Sequence, residues 1–310
     1  MNPVIQFKDV SRAFGKQVAL DDVSFDVPAG QVFALLGENG AGKPTTIKTI
    51  LGMCRPDQGQ ATVMGMNPMS DSVAIRRGVG HVPEQGTLYD WMKVAEAGWF
   101  AAGFYPPGYQ AEYLRLVESF GLPTDQKISN LSKGMRAKVI LSLAMAHKPP
   151  LLLLDEPTSG LDTLVRREFL ESMVDMTASG QTVFLSSHQI PEVERVADIV
   201  AIMKAGKLLL VEEMASLKNN CREVIVTFED QVNTNAIPGQ VVHHSVRGRQ
   251  CASLIRTDEE EPYYRLQDRS EVCTVDVRRP SLEDIFIGYM QGSPTVGTLA
   301  PRTNRSEAIR

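Results

Sequence analysis

The sequence predicts an α/β fold with a largely parallel sheet, and two observations carry that expectation. The first is a set of continuous apolar runs: Val32 to Leu36, Leu151 to Leu154, Thr182 to Ser186 and Ile199 to Met203. A strand that is apolar at every position, not at alternate ones, is covered on both faces, as strands of parallel sheets are. The second is that helical stretches such as 163 to 179 fall between these runs. Strands alternating with helices build parallel sheets.

Taken in order, residues 1 to 36 read as short strands broken by turns: VIQFKDV, a turn at Phe14-Gly15-Lys16, DDVSFDV, then Pro28-Ala29-Gly30 before the first apolar run. From about 86 to 148 no strand is evident, and Tyr113, Leu116, Val117 and Phe120 recur at helical spacing, which predicts a helical insertion. The run at Ile199 to Met203 ends in a turn at Lys204 to Lys207. After about residue 219 the pattern changes to alternating strands, Glu223 to Phe228 and Ala252 to Ile255, followed by an acidic cluster, Asp258 to Glu261, that reads as a solvated loop. The expected division is therefore 1–218, a smaller α+β domain at 219–290, and a disordered tail at 291–310 that holds few large apolar groups.

The chain has 310 residues and a net charge of −5, which disfavours a dedicated nucleic-acid binder. Its longest apolar candidate for a membrane helix, Val139 to Ala146, is far shorter than the roughly 18 residues needed. The start MNPVIQFKDV has no basic region followed by an apolar stretch, so no signal peptide is expected and the chain should stay in the cytosol unless a partner tethers it. Cys54, Cys221, Cys251 and Cys273 are scattered and read as buried thiols. His243 and His244 are adjacent, so in a strand they point to opposite faces and make a poor metal site.

The chemistry concentrates after the first apolar run, where Gly37-Glu38-Asn39-Gly40-Ala41-Gly42-Lys43 leads into a helix. Such a loop suits phosphate: glycines let backbone N–H groups converge on its oxygens, the helix dipole favours the anion, and Lys43 supplies a point charge. The residue after the lysine, where a Ser or Thr hydroxyl ordinarily coordinates Mg²⁺, is Pro44. Proline removes both the hydroxyl and the N–H, and biases Lys43 away from helical torsions, although the first helical turn tolerates it. Thr45 and Thr46 follow, and Thr45 is a candidate phosphate ligand. At the end of a later apolar strand, Asp155 and Glu156 form an adjacent pair, with Asp155 placed to hold Mg²⁺ through water and Glu156 to polarise a water; the same residues also read as a strand-ending turn. His188, after TVFLSS, is a candidate donor to the γ-phosphate.

The order of these motifs, with Leu131-Ser132-Lys133-Gly134-Met135, LLLLDEPTSGLD and Ser187-His188, resembles the nucleotide-binding subunit of ABC transporters over about residues 2 to 217. The resemblance implies a P-loop NTPase fold with a RecA-like core, an antiparallel β subdomain and a helical insertion. LSKGM looks like a variant of the family's LSGGQ signature, with Lys133 and Met135 departing from it. Phe14 matches the aromatic residue that stacks on adenine, Asp162 the D-loop residue at a dimer interface, and Glu84 or Gln85 the metal-contacting Q-loop glutamine. The family implies ATP and Mg²⁺, a head-to-tail dimer, homo- or heteromeric, in which Ser132 and Gly134 of one copy close over ATP held by Lys43 of the other, and a separate transmembrane permease. The C-terminal Pro280 to Phe286, PSLEDIF, resembles subunits serving ABC-2-type exporters, and also reads as a helix start capped by Ser281 and Asp284. Three functions follow: an ATP-hydrolysing exporter subunit on the cytoplasmic face of the membrane, a degenerate subunit slowed by Pro44, and a soluble ABC protein working on ribosomes or DNA. The last class usually carries paired domains or long coiled coils, and neither is evident here.

Overall fold

The computed structural model describes residues 2–292 and divides the chain into two compact units, one running to Lys218 and one from Asn219. The first opens with β1 (Ile5–Phe14) and β2 (Gln17–Val27), then β3 (Val32–Gly37), α1 (Lys43–Ile50), β4 (Gln58–Val63), α2 (Ser72–Gly78) and β5 (Val79–Val82). The insertion follows as α3 (Val94–Ala102), α4 (Tyr109–Ser119) and α5 (Lys133–Met145). The chain then alternates β6 (Leu151–Asp155), α6 (Thr163–Ala178), β7 (Thr182–Ser187), α7 (Ile190–Val196), β8 (Ile199–Lys204), β9 (Lys207–Glu213) and α8 (Met214–Asn219).

Two sheets result. A three-stranded antiparallel sheet has the order β2-β1-β4, and a six-stranded sheet the order β5-β6-β7-β3-β8-β9. In the larger sheet every pairing from β5 to β8 is parallel, and only β9 runs back. β3 is buried at every residue because β7 and β8 flank it and the smaller sheet packs nearby. A column of rings joins the two sheets: Phe7 and Phe25 of the small sheet stack at 4.7 Å, Phe25 meets Phe33 at 5.3 Å, and Phe33 meets Phe184 at 5.5 Å. Offset ring pairs of this kind add to the area they bury.

The insertion has its own apolar core around the fully buried Tyr113, whose hydroxyl donates to the Val94 carbonyl at 2.8 Å. Its only strand-like feature among the described residues is an isolated bridge between Lys93 and Lys127. Two strands escape the sequence pattern. β4, QGQATV, buries Ala61 and Val63 but is exposed over its first three residues, and β5, VGHV, has only four residues, one glycine after Arg76 and Arg77. Neither gives a run long enough to separate it from a turn.

The second unit is an antiparallel sheet of β10 (Cys221–Phe228), β11 (Gln240–Arg247), β12 (Gln250–Arg256) and β13 (Val272–Arg278), in the order β11-β12-β10-β13, with α9 (Glu261–Tyr264) and α10 (Leu282–Gln291). Ser281 caps α10: its Oγ accepts from the Asp284 N–H at 3.1 Å, and the Asp284 carboxylate accepts from the Ser281 N–H at 2.9 Å. Two expectations are corrected here. Cys273 is exposed, while Cys54, Cys221 and Cys251 are buried, because position 273 faces solvent in β13. The acidic segment is not merely solvated: Glu260 accepts from the buried Arg222 Nε at 2.8 Å, and Arg222 also donates to the Asp258 carbonyl at 3.1 Å. That partner lies too far away in sequence for a local reading to find. Gln291 ends α10, and the rest of the expected tail, from 293 on, lies outside the described residues. Among those residues, no helix is long and apolar enough to cross a membrane.

Gly98 of α3 faces Tyr113 so closely that a Cβ there would stand 2.0 Å from the ring Cδ1. Gly98→Ala should therefore lower stability by about 1–3 kcal/mol through overpacking, read as a lower urea midpoint. An unchanged midpoint would show that the insertion is loosely packed.

Candidate functional site

Because β5, β6, β7, β3 and β8 run parallel, their carboxyl ends share one edge, where ligands of such sheets bind. The sheet therefore brings together the loop after Gly37, Asp155 at the end of β6, His188 just past β7 and the turn at Glu84 and Gln85 after β5.

The loop is held by close backbone packing. A Cβ at Gly37 would stand 2.6 Å from the Met203 carbonyl oxygen, and one at Gly42 would stand 2.5 Å from that of Ala19. Gly42 also has a φ of 117°, which a side chain would strain. From the turn between β8 and β9, the Gly206 N–H donates to the Ala41 carbonyl at 2.9 Å. Glu38, Asn39 and Gly40 form the exposed tip. α1 begins at Lys43 in spite of the proline that follows. Pro44 lies in the first turn, where N–H groups have no helical partner, so its missing donor costs the helix nothing. The Thr46 hydroxyl is buried and donates to the Gly42 carbonyl at 3.2 Å, turned away from the open side of the loop, while Thr45 is half-buried.

Lys43 is 3% exposed, and its ammonium donates to the Gly37 carbonyl at 2.6 Å and lies 3.2 Å from Glu156 Oε1. Glu156 is 8% exposed and takes a left-handed φ of 47°, with its N–H donating to the Ser186 carbonyl at 2.9 Å. Its Oε2 accepts from His188 twice, from the backbone N–H at 3.2 Å and from ring Nδ1 at 2.7 Å. The carboxylate only accepts, so Nδ1 carries the ring proton and Nε2 accepts from the Gln189 amide at 3.0 Å. Nε2 is thus an acceptor, and His188 could donate to a phosphate only with Gln189 turned away and a second proton on the ring. Asp155, half-buried, accepts from the Ser186 hydroxyl at 2.5 Å.

The remaining candidates gather elsewhere. Ser132 caps α5, its Oγ accepting from the Met135 N–H at 3.2 Å, and Asp162 caps α6 by accepting from Leu164 N–H at 3.1 Å and Val165 N–H at 3.0 Å. The two helix starts touch, for a Cβ at Gly134 would stand 3.0 Å from Val165 Cγ2. Leu131 and Met135 belong to the core of the insertion, so Ser132 and Lys133 are the exposed members of that segment. Among the described residues, no hydrogen bond or ion pair joins this segment to the loop at 37–46. Phe14 is 49% exposed at the β1–β2 hairpin, with the Arg12 guanidinium 4.7 Å from its ring centre.

The donor set fits Mg²⁺ of the kind carried by nucleotide phosphates, which needs one or two carboxylates and keeps several waters. Asp155 would hold it, with Glu84 or Gln85, both exposed, near the same edge; the hydroxyl that position 44 would add is absent. Sequence reasoning missed Ser186, Gln189, Gly206 and the group in which Thr158 donates to Glu192, which also pairs with Arg166 at 3.0 Å. A buried serine ending an apolar strand was the available signal for Ser186; the others depend on contacts distant in sequence.

Beside this edge, a cleft of about 360 Å³ opens between the end of β5 and the insertion, lined by Leu51, Met53, His81, Tyr105, Ile140 and His147. Burial lowers the pKa of both histidines.

A glycine loop between a buried strand and a helix, with a carboxylate pair two strands away, defines a P-loop nucleotide-binding domain. A sequence profile of the ABC transporter family matches residues 20–159. The Nod factor export ATP-binding protein I of Rhizobium etli is 30% identical over 297 residues, covering 91% of this chain and 92% of that protein. The probable multidrug ABC transporter ATP-binding protein YbhF of Escherichia coli is 36% identical over 211 residues, which are 66% of this chain and 36% of that longer protein. A solved ATP-binding subunit of an ABC transporter is 32% identical and superposes with a TM-score of 0.64 over 69% of this chain and 92% of its own. The chain belongs to the family of ABC transporter ATP-binding proteins.

Removing Lys43 while keeping Glu156 leaves a buried carboxylate without its cation. Lys43→Met should cost about 3–5 kcal/mol of stability, and Lys43→Met with Glu156→Gln should recover most of it. Additive losses in urea unfolding would show that the two groups do not interact.

Proposed function

We propose that the chain binds and hydrolyses ATP to power a separate membrane permease in an exporter. The observation that carries this reading is the contact of Glu156 with both Lys43 and His188 at the sheet edge. A carboxylate beside the lysine that would hold the phosphates supports a role for Glu156 in activating the water that attacks the terminal one. The Lys43 ammonium is held by the Gly37 carbonyl and Glu156. Incoming phosphates take over the ammonium, which frees one oxygen of Glu156 to accept a proton from the attacking water, while His188 keeps the other oxygen in place. Phe14, exposed at the β1–β2 hairpin with one face toward Arg12, would offer its other face to adenine. Bound Mg²⁺ would supply neutralising charge along the phosphates, and Asp155 would hold it.

Two copies would pack head to tail, bringing Ser132 and Gly134 of one over ATP on the loop of the other, as a homo- or heterodimer. The separation of these segments within one copy supports that reading. The permease would dock at the apolar cleft beside Glu84 and Gln85, which puts the chain on the cytoplasmic face of the membrane. The relative named for Nod factor export supports the direction of transport. Glu156→Gln should trap an ATP-bound dimer visible by size-exclusion chromatography; a monomer with and without ATP would count against this mechanism.

Pro44 favours a second reading in which turnover is slow, since one hydroxyl is missing from the metal shell. Pro44→Ser should raise Mg²⁺-dependent ATPase activity on the order of 10²-fold, by comparison with loss of a single stabilising donor. Equal rates would show that hydrolysis does not depend on this position.

A further inference from the structure

The turn that leaves Glu156 and the start of α7 are joined by two carboxylates that reach in opposite directions. Glu156 accepts from the backbone and ring of His188. In the first turn of α7 the buried Glu192 reaches back, its Oε2 accepting from the hydroxyl of the buried Thr158. The other oxygen of Glu192 lies 3.0 Å from Arg166 Nε, and Arg166 also donates to the Leu161 carbonyl at 3.1 Å. Each bond starts close to the other. Thr158 lies in the turn that the Ser159 N–H closes on the Glu156 carbonyl at 3.1 Å, and the Glu192 N–H donates to the Gln189 carbonyl at 3.1 Å, beside His188.

The second bond contributes geometry more than stability. Buried ionic and polar groups gain little over apolar side chains of the same shape, and α7 is already anchored by Val193, which is fully buried. Glu156 has a φ of 47°, a conformation that an L residue holds only when its surroundings impose it. On one side of Glu156 its own N–H is tied to the Ser186 carbonyl, and on the other Thr158 is tied to Glu192. Among the described residues, neither Thr158 nor Glu192 is bonded to the loop at 37–46.

We infer that Glu192 is a positioning residue for ATP hydrolysis: by holding Thr158 and Arg166 it fixes the turn after Glu156 and keeps His188 against the Glu156 carboxylate once the Lys43 ammonium turns to phosphate. This rests on the reading of Glu156 as the group that activates water, and extends it to a residue that acts only through others. Arg166 lies in α6, whose cap is Asp162, so the same group also sets the start of that helix against α7.

The test uses the full chain, with Mg²⁺-ATP turnover as one readout and solvent exchange of the His188 Nδ1 proton as the other. The proton is followed by NMR with ¹⁵N-labelled histidine and assigned by its loss in His188→Gln. Thr158→Val and Glu192→Ala should each lower kcat about 10- to 100-fold and speed the exchange about tenfold, while ATP affinity stays within about threefold, as for a small misplacement of a reacting group. Thr158→Ser, which keeps the hydroxyl, should retain the slow exchange and the turnover. Thr158→Val preserves side-chain volume and carries the test if Glu192→Ala does not fold. Parental kcat and exchange in Thr158→Val, whether or not its melting temperature falls, would overturn the role of Glu192 and leave the reading of Glu156 standing. An equal loss in Thr158→Ser, or a matching loss of ATP affinity, would mark a general disturbance and also overturn it. A parent that turns over ATP no faster than its Glu156→Gln variant would overturn the reading of Glu156 and this role with it.

Discussion

The buried contact between Lys43 and Glu156 ties the glycine loop to the end of β6 across the intervening strand β7. Each charge would be expensive to bury alone, and each is held by a second set of bonds: Lys43 by the Gly37 carbonyl, Glu156 by the backbone and ring of His188. The loop, the carboxylate and the histidine are therefore set by one electrostatic arrangement. On the proposed reading, a nucleotide phosphate would compete for this cation, coupling its binding to the release of the carboxylate.

The sheet makes this arrangement possible. Five parallel strands place their carboxyl ends on one edge, and the ring column from Phe7 to Phe184 fixes the small sheet beside the large one. That packing presses Ala19 against Gly42 and leaves Phe14 exposed at the adjoining hairpin. Glycine is required at 37 and 42 because other parts of the backbone already occupy the space, which links the core to the glycine loop.

Much of this was legible in the sequence. Unbroken apolar runs at Val32, Leu151, Thr182 and Ile199 each became a strand of the large sheet, and the loop, the Asp155-Glu156 pair and His188 each lie at its edge. Periodicity could not show β4 or β5, which are short or half-exposed, nor Arg222 reaching Glu260 from a distant strand. Neither could it show that Thr46 turns inward, that Leu131 and Met135 fill a core, or that Lys133 rests on Gly160. Those facts depend on which face of a helix meets which neighbour, and chain order does not specify that pairing.

The exchange of partners at Lys43 is the centre of the account, and a crystal structure of the chain with a non-hydrolysable ATP analogue tests it most directly. The Lys43 ammonium should leave Glu156 for the β- and γ-phosphate oxygens while His188 stays within hydrogen-bond distance of the carboxylate. A nucleotide bound with Lys43 still on Glu156 and Gly37, or bound away from residues 37–43, would contradict it.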